Sequence, residues 1–189
     1  MLSLLLLIPF AGALLLAFWP GRPAEGRMRT VTLVVLGLQL AWSLVVLARF
    51  DPANSAMQLQ ESLPWVESLG LEYKLGVDGL SLPLVLINAA LTLVSAICTR
   101  DIDKRPRVYF LLLLVISGAV NGAFLAENLL LFFLFYELEL IPLWGLIAIW
   151  GGVNRAYAAT KFLIFTAVSG MLILGAFLGL ALLTGTADF

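Results

Sequence analysis

Two acids and a proline stand inside an otherwise apolar stretch, residues 128–150, NLLLFFLFYELELIPLWGLIAIW. About 20 apolar residues suffice to cross a bilayer as a helix. Glu137 and Glu139 fall near the middle of this stretch, and Pro142 follows them. A carboxylate at that depth costs at least about 2.5 kcal/mol on insertion scales. Burial favours its protonated form and a nearby cation its ionised form, so a glutamate balanced between the two can load and release a proton. Glu137 is the first candidate for such a proton relay and Glu139 the second. The competing use is a neutral, hydrogen-bonded side chain that ties helices together.

At about 100° per residue the two acids project roughly 200° apart, so they do not form one dyad on one helix face. Pro142 has no N–H to give the carbonyl of Leu138, which lies between them, so a bare acceptor and a local bend are expected there. A water or a lysine would fit that spot. Lys161, about one turn into the next span, either snorkels to the membrane surface or pairs with an acid. The depth of Glu137 argues against direct contact between the two.

Other polar residues call for milder readings. Asp78 adjoins Gly79 at a span end and reads as a turn or cap. Asn88, Ser117 and Asn121 are polar groups within spans, usable either for binding water or for joining helices. Glu127 reads as a solvated loop residue or a helix-start charge, and Asn128 as the cap of the helix that follows.

Apolar residues make up 62% of the 189 and charged residues 12%. An ordinary soluble domain has about 45–50% and 25%. The fold class is therefore all-α, a polytopic membrane bundle. Histidine is absent and Cys98 is the sole cysteine. The usual ligand sets for haem, zinc or an iron–sulfur centre are thus missing, and electron transfer linked to this chain is expected in another chain.

Six spans are expected, at 1–19, 31–48, 80–99, 108–125, 128–150 and 157–184. The first is read as a retained helix and not a cleaved signal, because positive charge follows it instead of preceding it. Leu71–Val77 is read loosely as a short strand in the polar segment 49–75. The loops after spans one, three and five carry Arg22, Arg27, Arg29, Arg100, Lys104, Arg105, Arg107 and Arg155. The opposite side has Arg49, Lys74 and most of the acids. The positive-inside rule makes the first side cytoplasmic and places both termini on the non-cytoplasmic side. Gly118-x-x-x-Gly122 and Gly175-x-x-x-Gly179 have the spacing of close helix packing.

These motifs resemble a known family. Phe135-Tyr136-Glu137-Leu138-Glu139-Leu140-Ile141-Pro142-Leu143, Ile149-Trp150-Gly151-Gly152, Ala158-Ala159-Thr160-Lys161-Phe162 and Leu75-Gly76-Val77-Asp78-Gly79-Leu80-Ser81-Leu82-Pro83 are similar to segments of the antiporter-like proton-pumping membrane subunits of respiratory complex I. The closest likeness is to their chain 4, or M/D, type in the photosynthetic NAD(P)H dehydrogenase-like complex. The resemblance implies an integral membrane subunit, in a bacterial inner membrane or a cyanobacterial or plastid thylakoid membrane. It would contribute to proton translocation coupled to quinone (plastoquinone) reduction. NAD(P)H or ferredoxin and the iron–sulfur centres would belong to partner subunits; no cofactor, metal or nucleic acid is expected on this chain.

By the same resemblance Glu137 matches the fifth-span glutamate, whose family partner is a lysine on a later, broken helix. Lys161 matches a recurrent sixth-span lysine and not that partner. Family members have about fourteen spans in two inverted repeats. Six spans would be an N-terminal portion, either a fragment or a truncated form, that does not pump alone. Residues 1–107 would form an N-terminal three-helix region and 108–189 the start of the translocating repeat. Two rivals remain: a subunit of a multi-chain sodium/proton antiporter, and a non-catalytic helical scaffold.

Overall fold

The computed structural model describes residues 1–21, 25–54, 56–66, 71–100, 102 and 104–186; Arg22 and Glu67 lie outside the described residues. Its elements in chain order are α1 (Ser3–Ala17), α2 (Glu25–Arg49), β1 (Gln58–Val66), β2 (Leu71–Val77), α3 (Ser81–Cys98), α4 (Pro106–Leu125), α5 (Leu129–Trp150) and α6 (Arg155–Thr184). The bundle is helical, as the composition requires, with two differences from the expected plan. The strand expected at Leu71–Val77 is present, but it pairs antiparallel with a second strand, Gln58–Val66, inside the segment read as merely polar. Among the described residues five helices are long and apolar enough to cross a membrane, and α1, at 15 residues, is shorter.

The C-terminal end of α1 is capped by a neighbouring helix. Arg107 of α4 donates from Nε to the carbonyl of Leu16 at 2.6 Å and from Nη2 to that of Ala17. These bonds occupy acceptors that every helix C-terminus leaves free. Arg29 does the same for α3, donating to the carbonyls of Ala96 and Ile97 at 3.4 and 2.7 Å. Arg29 and Arg27 lie within α2, which begins at Glu25, earlier than the expected 31. Positive charge in this region therefore serves the neighbouring helix ends.

α4 is the centre of the bundle. It packs against α1, α2, α3 and α5, while α6 packs on α5 and is otherwise largely exposed. Gly118 receives the ring of Phe10 from α1, and Gly122 receives the ring of Phe135 from α5. These two glycines are packing sites, as expected, but they admit aromatic rings. At Gly175 and Gly179 an added Cβ would meet nothing within 4 Å, so that pair makes no such contact within the described residues.

The hairpin ties one end of the bundle together. Glu61 of β1 accepts from the backbone N–H groups of Leu2 and Ser3 at 2.9 and 3.0 Å, at the start of α1. Tyr73 of β2 donates to Ser3 Oγ at 3.0 Å. Glu127, read from sequence as a solvated loop residue, is buried instead, at 5% exposure. It accepts two bonds of 2.9 Å from Gln60 Nε2 and lies 3.9 Å from Lys74 Nζ. Its own N–H donates to the Lys74 carbonyl at 2.9 Å. A Cβ at Gly76 would collide with this carboxylate, which explains a glycine near the end of β2.

Asp78 closes the start of α3, as the sequence suggested. Its Oδ1 accepts from the N–H groups of Leu80 and Ser81 at 3.0 and 2.7 Å, and the Asp78 N–H donates to Ser81 Oγ at 3.0 Å. The bond from the Ser81 N–H is the main reason its carboxyl sits below the usual carboxylate range. A lowered folded pKa adds stability that is complete above the unfolded value, about 3.9, and is lost as pH falls through the folded one. Asp78→Ala should therefore destabilise the protein by about 1 kcal/mol at neutral pH. The gap from wild type should narrow below pH 4 in thermal unfolding of the detergent-solubilised protein. In the same assay Glu127→Ala, which strips Gln60 and Lys74 of their buried partner, should cost about 1–3 kcal/mol.

Candidate functional site

The helix that carries the acids begins on a good cap. Asn128 Oδ1 accepts from the N–H groups of Leu130 and Leu131, both at 3.2 Å, as its position before an apolar run predicts. α5 then runs as one α-helix through Pro142, which is buried. The Phe135 ring on Gly122 and the contact of Leu112 with Gly145 set α5 antiparallel to α4. On its other side α5 meets α6 through the rings of Phe132 and Phe177, 6.0 Å apart.

Glu137 lies on the α6 side, its carboxylate against buried Gly170, where any Cβ would collide with it. Its Oε1 is buried without a hydrogen-bond partner among the described residues. Glu139 is half-buried and makes no hydrogen bond or ion pair with a described residue. The two acids thus occupy separate surroundings, as their angular separation requires.

Lys161 is exposed and is not paired with either acid. Its Nζ lies over the rings of Tyr157 and Phe165, 5.9 and 5.8 Å from their centroids. From residue 161 to residue 170, beside which Glu137 sits, the helix rises about 13 Å at 1.5 Å per residue. The depth argument made from sequence accounts for this separation.

Gly170 is a site residue that the sequence reading did not single out. A glycine in an apolar helix gives no sign of which neighbour needs its space. Gln39, likewise unmarked, is fully buried in α2 and carries the same signal as Asn88, a carboxamide within a span. Among the described residues no three His, Cys, Asp or Glu side chains come together as a metal site.

An acid lodged in a helix contact at mid-span, in a bundle of this hydropathy, defines an integral membrane protein with an intramembrane ionisable site. Comparison with known proteins narrows the class. Residues 126–189 match the family described as NADH:quinone oxidoreductase/Mrp antiporter, TM. Over 98% of its length the chain is 41% identical to NAD(P)H-quinone oxidoreductase chain 4 2 of Microcystis aeruginosa, covering 34% of that protein. Among solved structures, respiratory complex I from Thermus thermophilus with bound NADH contains a chain that superposes with a TM-score of 0.81. It is 28% identical over all of this chain, which covers 38% of it. A chain of the Mrp complex from Dietzia gives a TM-score of 0.83 at 20% identity, over 99% of this chain and 20% of that one, which shows a shared fold.

Over nearly all of its length the chain is similar to NAD(P)H-quinone oxidoreductase chain 4 proteins, including that of Synechococcus sp. WH7803 at 39% identity. It spans about a third of the length of the curated relatives it matches.

The Glu137–Gly170 contact can be tested directly. Gly170→Val should displace the Glu137 carboxylate and change its reactivity, whereas Gly175→Ala, whose Cβ meets nothing within 4 Å, should leave it unchanged. Carbodiimide labelling of Glu137 in membranes, with recovery of the protein followed in parallel, reads both.

Proposed function

We propose that this chain is the N-terminal portion of an antiporter-like membrane subunit that helps to move protons across a membrane as quinone is reduced. Glu137 is its proton relay. The observation that carries this reading is a mid-span carboxylate with one oxygen buried and unpartnered against a glycine on the next helix. Such an oxygen gains a bond when it is protonated or when a donor moves to it, so its surroundings reward a change of state. A strut would have its partners already in place.

Glu139 serves in second rank, at a separate position around α5. Lys161 is the nearest cation along α6 and acts on Glu137 through its field, not by contact. The quinone is plastoquinone, as in the photosynthetic branch, and NAD(P)H or ferredoxin with the iron–sulfur centres serve from partner subunits. The basic ends of α2, α4 and α6 face the cytoplasm or stroma, and both termini lie opposite. Residues 1–107 form an accessory three-helix region, and 108–189 open the translocating repeat.

Glu137→Gln in the intact assembly should cut proton translocation to below about a tenth, the scale on which positioned proton-transfer groups act. Glu139→Gln should cut it less. Vesicle acidification with quinone reduction followed in parallel reads both. Translocation that survives Glu137→Gln would refute the relay. Cation-dependent exchange without quinone reductase activity would favour the antiporter reading, towards which the Mrp part of the matched family points. Intact transport with impaired assembly would favour the scaffold.

A further inference from the structure

The buried interior has three layers. Beside the hairpin, Leu2, Val46, Val85 and Leu125 belong to one apolar cluster. At the opposite end, Leu16, Leu36, Ala96 and Leu114 belong to another. Between them α2, α3 and α4 contribute polar groups: Gln39, Asn88, Thr92, Ser117 and Asn121. Asn88 Nδ2 donates to Asn121 Oδ1 at 2.7 Å and to the Ser117 carbonyl at 3.1 Å. Ser117 Oγ donates to Gln39 Oε1 at 3.0 Å and lies 3.3 Å from Thr92 Oγ1.

This network uses the carboxamide oxygens of Gln39 and Asn121 and leaves their two nitrogens over. Gln39 Nε2 and Asn121 Nδ2 have no hydrogen-bond partner among the described residues, and both side chains are 0% exposed. Rotating the amides does not repair this. Reversing Asn121 would set its NH2 against the NH2 of Asn88. Reversing Gln39 would satisfy its nitrogen at Ser117 and orphan its oxygen instead. A buried amide left unpaired is costly, so a small acceptor belongs here. Two outward N–H groups repel a cation, and no lysine or arginine lines the cluster to hold an anion. Water is the small neutral acceptor that buried amide donors of this kind ordinarily take, and its hydrogens suit the hydroxyl and carbonyl oxygens of such a network.

We propose that the α2–α3–α4 cluster binds ordered water, held by Gln39 Nε2 and Asn121 Nδ2, as an internal hydration site apart from Glu137. The inference stands on the network's own bonds and does not need the relay.

A map of the intact membrane assembly that resolves solvent should show a water peak within about 3 Å of each of these nitrogens, shared or separate. Infrared difference spectra in heavy water, with and without oxygen-18 label, should show an internal-water band in wild type and in Glu137→Gln. The band should vanish in Asn121→Leu and shift or vanish in Gln39→Met. The two amides bonded to each other or to backbone carbonyls with no solvent peak, or a wild type without the band, would overturn the proposal. So would a band unmoved in Gln39→Met, which covers the case that Asn121→Leu does not fold. Loss of transport in Glu137→Gln with the band intact would separate this site from the relay.

Discussion

Hydrocarbon offers no hydrogen bonds, and that constraint shapes this chain at every level. Each polar group taken into the membrane must find its partner inside the protein. The helices meet this requirement for the backbone. At their ends the side chains take over: Arg107 and Arg29 at the C-termini of α1 and α3, Asn128 and Asp78 at the starts of α5 and α3, and Glu61 at the start of α1. Against these partnered groups, the buried side-chain atoms left without a partner among the described residues stand out: Gln39 Nε2, Asn121 Nδ2 and Glu137 Oε1.

Close packing around α4 is what brings these groups to their places. Glycines at 118 and 122 let aromatic rings from α1 and α5 press onto α4 from either side. The hairpin then joins the start of α1 to the junction of α4 and α5 through Glu61 and Glu127. Both acids at these joints lie outside the helices, where a network of donors can surround them. Glu137 is set apart by having no such network, although it is carried by the same bundle.

Much of this was legible in the sequence, for a physical reason: hydropathy and end signals act locally. The boundaries of α3, α4 and α5 fall within a residue or two of those expected. The Asn128 cap and the Asp78 turn read directly from their neighbours. Contacts between distant residues were not legible. Glu127 is buried because Gln60, 67 residues earlier, reaches it. β1 contains Pro64 and alternates poorly, so nothing marked it as a strand until its partner was seen. Glycine spacing pointed to 175 and 179, whereas the glycine that matters on α6 is 170. Spacing describes a face and cannot say which face is covered.

The ring of Phe135 sits on Gly122, one residue from Asn121, while Glu137 looks the other way, towards α6. The antiparallel register of α4 and α5 nevertheless puts Asn121 and Glu137 level in depth. The α4–α5 contact that Phe135 fills therefore stands between the polar cluster of α2, α3 and α4 and the Glu137 carboxylate, at one depth of the bundle. While that ring stays seated the two polar regions share no hydrogen-bond partner, so each must satisfy its buried groups on its own side.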